Sequence, residues 1–237
     1  MNPITLALDY SDIEQARNVL TKTKEHIGMI KIGLELWTNY GPQSLELGKE
    51  FDLPIFLDLK LHDIPNTVEK TVEVITKKFS SYNIKYLSVH ALGCKAMLTT
   101  AVRAARDTGT EIAAVTFLTS LDYEDLRWLG YRDTRINIQT VDLAIRAQKA
   151  GVKAFICSAQ NCKLMRKHLD DGGARVTLIT PGIRLNDIKD DQKRTTGVEE
   201  AIKTGSDHLV VGRPITLSDD PESTAKLFAD LASRFVR

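Results

Sequence analysis

The chain is poor in cysteine and histidine, carries almost no net charge, and has no long apolar run. Its three cysteines, Cys94, Cys157 and Cys162, form no C-x-x-C pair. An odd number does not build a disulfide framework, so they are expected to be buried or inert thiols. The five histidines lie scattered, without H-x-H or H-x-x-x-H spacing, which leaves a zinc site without support. No metal and no cofactor is expected. The 32 basic and 31 acidic residues are mixed and leave a formal charge of +1, so no basic stripe exists to neutralise a nucleic-acid backbone. No stretch approaches the about 18 apolar residues of a membrane span, and the opening MNPITLALDYSD lacks the basic-then-apolar profile of a signal peptide. Neither nucleic acid nor membrane is an expected partner, and the expected location is cytoplasmic.

What remains is an ordinary globular balance, 43% apolar and 27% charged, with neither linker nor low-complexity tract. The length suits a single domain over 1–237. Eight short apolar, β-branched runs recur: ITLALD (4–9), MIKIG (29–33), PIFLDLK (54–60), KYLSVHAL (85–92), EIAAVTFL (111–118), KAFICS (153–158), RVTLIT (175–180) and HLVVG (208–212). Between them lie segments of helical period, among them 13–26, 68–79, 95–108 and 141–150. Near-continuous apolar strands suit a parallel sheet covered by helices, and eight repeats favour closure into a single-domain α/β fold, the (β/α)8 TIM barrel, over an open sheet. Ser11 and Asp12 are candidate caps for the first helix, and Gly28, Gly109 and Gly151 follow the ends of others. Two connections are longer than a barrel requires, 122–137 and 184–196. The second is polar and follows Pro181-Gly182, which suits either a flap over a polar ligand or a solvated loop.

In a parallel barrel the functional face lies at the C-terminal ends of the strands. The residues closing the runs here are Asp9, Lys31, Asp58, Lys60 and Asp63, then Thr119, Ser120, Arg184, Gly212 and Arg213. Strand alternation puts Asp58 and Lys60 on one face, and Leu57, Leu59 and Leu61 on the other. If the leucines pack against helices, the charges sit inside the barrel mouth, where they must pair or serve chemistry. A structural ion pair is the plain alternative. Lys31 on the adjacent strand and Asp63 three residues on extend the pair to an alternating Lys-Asp-Lys-Asp network. Carboxylates on both sides keep a lysine protonated, which makes Lys60 an acid rather than a Schiff-base nucleophile. His62 is a weaker candidate acid, because the chain turns there. A helix starts around Ile64-Pro65-Asn66-Thr67; Thr67 could face a ligand, or Asn66 or Thr67 could simply cap that helix. After the last two strands, PGIR (181–184) and VVGRPI (210–215) form a candidate phosphate site through Gly212 and Arg213, with Gln192 as a further donor.

Taken together, FLDLKLHDIPNTV with LALD, MIKIG, VTFLTSL, TPGIR and VVGRPIT, in that order, resembles the orotidine 5′-phosphate decarboxylase family from the first strand to the last. Leu61 stands where an aromatic residue is frequent in that family. The resemblance implies a cofactor-free decarboxylase acting on orotidine 5′-phosphate in pyrimidine synthesis. Asp9 would hold the ribose, Lys31 bridge ribose and charge network, Asp58 lie near the substrate carboxylate, and Lys60 donate the proton. Thr119 and Ser120 would meet the pyrimidine, Gln192, Gly212 and Arg213 the phosphate, and Pro181 and Arg184 would line the flap side. The resemblance also implies a homodimer, with Asp63 crossing into the partner's site and Ile64 and Thr67 contacting substrate. Magnesium-dependent hexulose-phosphate enzymes of the wider superfamily share Asp-x-Lys-x-x-Asp but place a metal-binding glutamate where this chain has Lys31, a cation that would repel Mg²⁺. A non-catalytic barrel sensing a nucleotide or sugar phosphate is the alternative from another class. It gives no reason for a buried charge array.

Overall fold

Each of the eight runs forms a strand in the computed structural model, which describes residues 2–170, 175–185 and 195–235. The order along the chain is β1 (Ile4–Ala7), α1 (Ile13–Thr23), β2 (Met29–Gly33), α2 (Leu34–Tyr40), α3 (Glu46–Glu50), β3 (Ile55–Leu61), α4 (Pro65–Lys78), β4 (Ile84–His90), α5 (Cys94–Ala104) and β5 (Glu111–Val115). There follow α6 (Tyr123–Trp128), α7 (Ile136–Lys149), β6 (Ala154–Ile156), α8 (Ala159–Leu169), β7 (Thr177–Thr180), β8 (Ile183–Arg184), β9 (Thr196–Gly197), α9 (Val198–Thr204), β10 (His208–Val211), α10 (Arg213–Thr216) and α11 (Pro221–Ser233). Eight strands close into a barrel in the order β1-β10-β7-β6-β5-β4-β3-β2. Every pairing is parallel. The fold is the expected TIM barrel.

Alternation along the strands divides the core into two layers. Inward residues, including Met29, Phe56, Tyr86, Ala113, Val115, Ile156, Ile179 and Val210, fill the barrel, with Phe56 and Tyr86 meeting edge to face. Outward residues pack on the helices. In α1 the buried positions Ile13, Ala16, Val19, Leu20 and Thr23 form one stripe, and Asp12 caps the helix by accepting a hydrogen bond from the Glu14 N–H at 2.9 Å. Ser11 plays no capping part; its hydroxyl donates to Glu35. Helix α4 begins at Pro65, earlier than the apolar period alone indicates, because proline is pre-set for the first helical turn. Its N-cap is Ile64, so neither Asn66 nor Thr67 caps it.

Two long connections acquire structure of their own. The stretch 122–137 contains α6, opened by a capping box between Asp122 and Asp125. At the base of 184–196, β8 and β9 pair in parallel, joining Ile183 to Thr196 and Arg184 to Gly197. Cys157 and Cys162 are buried as expected, whereas Cys94 is exposed at the start of α5. No helix among the described residues is long and apolar enough to cross a membrane.

Candidate active site

Above the inward layer the barrel opens into a cavity of about 770 Å³. Its floor is the top of the barrel packing, Ala7, Phe56, Val115, Ile156 and Val210, and its walls carry the charges that close β1, β2 and β3. An apolar floor beneath ionised groups limits access of water and strengthens every electrostatic interaction among them.

The charges form one connected chain. Lys31 Nζ stands 2.8 Å from Asp9 Oδ1 and 3.8 Å from Asp58 Oδ2, and Lys60 Nζ donates to Asp58 Oδ2 at 2.7 Å. Lys31 and Asp58 are buried, Lys60 is about one-third exposed, and Asp9 faces the open side. Burial is the largest influence on the Lys31 ammonium and by itself would lower its pKa; Asp58, then Asp9, outweigh it, and the net displacement is upward. Asp58 mirrors this: burial would raise it, but Lys31 and then Lys60 hold it below its ordinary value. Lys31 and Asp58 therefore face each other as ammonium and carboxylate across the neutral pH range.

The approach of Asp58 and Lys60 does not come from plain strand alternation. Leu57 of β3 pairs with Leu87, and the next pairing is Leu61 with Val89, so four positions on β3 advance against two on β4. Lys60 sits in this bulge with a left-handed backbone, φ +49°. Its N–H, drawn out of the ladder, donates to Ser88 Oγ at 2.7 Å, and the Ser88 hydroxyl donates to Asp58 Oδ1 at 2.9 Å. Leu57 is fully buried, while Leu59 and Leu61 pack half-buried against the outer core.

A model described as the orotidine 5′-phosphate decarboxylase / HUMPS family matches residues 2–228. The chain is 41% identical over 227 residues to the orotidine 5′-phosphate decarboxylase of Wolbachia sp. subsp. Brugia malayi, covering 96% of this chain and 97% of that protein. It is also 41% identical over 229 residues to that of Nitrosomonas eutropha, covering 96% and 95%. The crystal structure of orotidine 5′-phosphate decarboxylase from Lactobacillus acidophilus superposes with a TM-score of 0.81 at 31% identity, over 98% of this chain and 99% of that one. The chain belongs to the orotidine 5′-phosphate decarboxylase / HUMPS family.

Of the residues singled out from sequence, Asp9, Lys31, Asp58, Lys60, Thr119, Ser120, Pro181, Arg184, Gly212 and Arg213 all line this cavity. Asp63, Ile64 and Thr67 do not line it. They are exposed on the rim, and Asp63 accepts a hydrogen bond from the Ile64 N–H. Within the single chain the array thus ends at Asp9 and Lys60, with Asp63 outside it. Gln192 lies outside the described residues. His62 is exposed and stacks on His90, ring centroids 5.4 Å apart, rather than entering the cavity.

Two residues of the site escape a reading by motif. Ser88 is visible only as a small polar residue at an inward position of an apolar run, KYLSVHAL. Gly33 closes β2 where a Cβ would stand 2.8 Å from Lys31 Nζ and 3.1 Å from Asp9 Oδ1. A glycine at a strand end gives no hint of that close approach.

Proposed function

We propose that the protein removes CO2 from C6 of orotidine 5′-phosphate, yielding uridine 5′-phosphate for pyrimidine nucleotide synthesis. The observation that carries this reading is the linked chain Asp9, Lys31, Asp58, Lys60 in the wall of a cavity that Gly212 and Arg213 also line.

Breaking the bond from C6 to the carboxylate leaves the electron pair in an orbital of the ring plane, where the ring carbonyls cannot delocalise it. The reading needs no cofactor. Instead, the Lys60 ammonium faces the developing carbanion, stabilises it, and delivers a proton to C6; the amine then regains a proton from solvent. Asp58 lies beside the departing carboxylate, and Lys31 links it to Asp9, which holds the ribose. Thr119 and Ser120 meet the pyrimidine. Arg213, Gly212 and Gln192 hold the phosphate, and Pro181 and Arg184 line the flap side. Phosphate binding remote from C6 lends its energy to closing the site and excluding water. In this reading the enzyme is a cytosolic homodimer: Asp63 reaches the partner's charge array, and Ile64 and Thr67 stand at the partner's substrate.

The position of Lys31 favours this reading over a magnesium-dependent one. An ammonium group occupies the space between Asp9 and Asp58 that a divalent cation would require. The test is turnover of orotidine 5′-phosphate, followed as loss of substrate absorbance with EDTA present. Unimpaired turnover is expected, together with its abolition in Lys60→Ala. Dependence on added Mg²⁺, or residual turnover in the variant close to the unaltered level, would overturn the reading.

A further inference from the structure

We propose that Ser88 is a positioning residue for this decarboxylation, fixing both the proton donor and its partner carboxylate through a single hydroxyl. The inference rests on the function proposed above. Ser88 lies in β4, fully buried, and touches two groups at once: Oγ accepts the Lys60 N–H at 2.7 Å and donates its own proton to Asp58 Oδ1 at 2.9 Å.

Each contact answers a separate physical need. Lys60 has φ +49°, a region that a non-glycine residue enters only at an energetic disadvantage and holds only when its surroundings dictate it. Its N–H is turned away from the strand ladder at the shift between Leu57 and Leu61, and a donor there without an acceptor would penalise the bulge. Ser88 Oγ supplies that acceptor. With its lone pair engaged by Lys60, the hydroxyl proton is directed at Asp58, whose other oxygen receives the Lys60 ammonium at 2.7 Å. A closed loop results, from Lys60 main chain to Ser88 to Asp58 and back to Lys60 Nζ. The side chain that donates the proton and the backbone that carries it are thereby set by one group on the neighbouring strand.

The loop separates positioning from binding. Ser88 does not line the cavity, so its loss should leave affinity for the product largely intact while the chemical step suffers. Removing its hydrogen bond should also let Asp58 protonate at higher pH. The experiment measures kcat, KM, the pH profile of kcat, uridine 5′-phosphate affinity and Tm for the full chain, Ser88→Ala and Ser88→Thr. We expect Ser88→Ala to lose about tenfold or more in kcat. Its product affinity should stay within about twofold, well under the 1.4 kcal/mol that a tenfold change represents. The acid limb of its pH profile should move upward, and Ser88→Thr, which keeps the hydroxyl, should recover much of the loss. A folded Ser88→Ala with kcat near that of the unaltered protein overturns the proposal. So does a parallel collapse of kcat, product affinity and Tm that threonine does not relieve, because that marks a merely structural serine. Absence of turnover in the unaltered protein overturns the functional reading itself, and this proposal with it.

Discussion

At Gly33 a single methyl group decides whether the charge array can exist. The added Cβ would fall 2.8 Å from Lys31 Nζ, and the ammonium is the movable party, being the end of a flexible side chain. It is not free to move far, since Asp9 and Asp58 hold it in a buried setting. Gly33→Ala should therefore displace Lys31 from its carboxylates and lower kcat/KM by about tenfold or more, the scale of disturbing one charge-assisted hydrogen bond. Tm should change by only a few degrees, as a cost of about 1 kcal/mol implies for a chain this long. Steady-state kinetics beside a thermal melt checks this, and unchanged kcat/KM would show that the array tolerates the shift. At this scale the sequence spoke through charge: Asp58 and Lys60 stand out because ionised residues in an apolar strand demand an explanation. Ser88 and Gly33 do not, since their importance lies in a 2.7 Å hydrogen bond and in an absent side chain. The left-handed backbone of Lys60 was equally illegible, because it follows from the bulge between β3 and β4 and not from local propensity.

Helix α6 sits in the connection that carries Thr119 and Ser120 from β5 to α7. Asp122 accepts hydrogen bonds from the N–H groups of Glu124 and Asp125, and the Asp125 carboxylate in turn accepts one from the Asp122 N–H. Losing such a cap typically costs about 1 kcal/mol. Because Thr119 and Ser120 lie immediately upstream on the cavity wall, Asp122→Ala should loosen their placement. The expected kinetic signature is a rise in KM of several-fold, with a smaller fall in kcat, since the chemistry belongs to Lys60. A loss confined to kcat would contradict that assignment. Apolar runs in the sequence locate all eight barrel strands, and the two long connections stand out by their length, but no secondary structure is read in either. Helix α6 has six residues, too few for a period to establish itself, and the β8–β9 pair consists of two residues on each side. Elements that small are stabilised by caps and by what they close over, which a periodicity does not record.

Closure of the barrel brings β4 and β10 to positions from which two histidines outside the cavity lining bear on the stability of the whole. Burial is the main reason that His90 is pushed down to about 4, with the charges of His62 and then Lys60 adding to it. His208 is lowered as well, again chiefly by burial, and its Nε2 meets the Tyr86 hydroxyl at 3.2 Å. A base with a depressed pKa is neutral in the fold at a pH where the unfolded chain already binds its proton. Unfolding therefore takes up protons between the ordinary value of 6.5 and the folded value near 4, and stability falls as pH drops through that window. One full proton would amount to about 1.4 kcal/mol per pH unit; water reaches part of the His90 ring, so the slope it contributes is smaller. Asp58 acts further down: its lowered pKa adds stability that is complete above the ordinary 3.8 and is lost as pH falls through the folded value. Lys31 closes the alkaline side, its contribution complete below 10.5 and lost as pH rises through its raised value. The acid side can be tested without touching the charge array. His90 Nδ1 accepts the Leu92 N–H, a role that an asparagine carbonyl can also fill. Denaturant unfolding at pH 7 and pH 5 should show a smaller difference for His90→Asn than for the unaltered protein, with comparable stability at pH 7. An undiminished difference would assign the acid sensitivity elsewhere, with His208 the next group to replace.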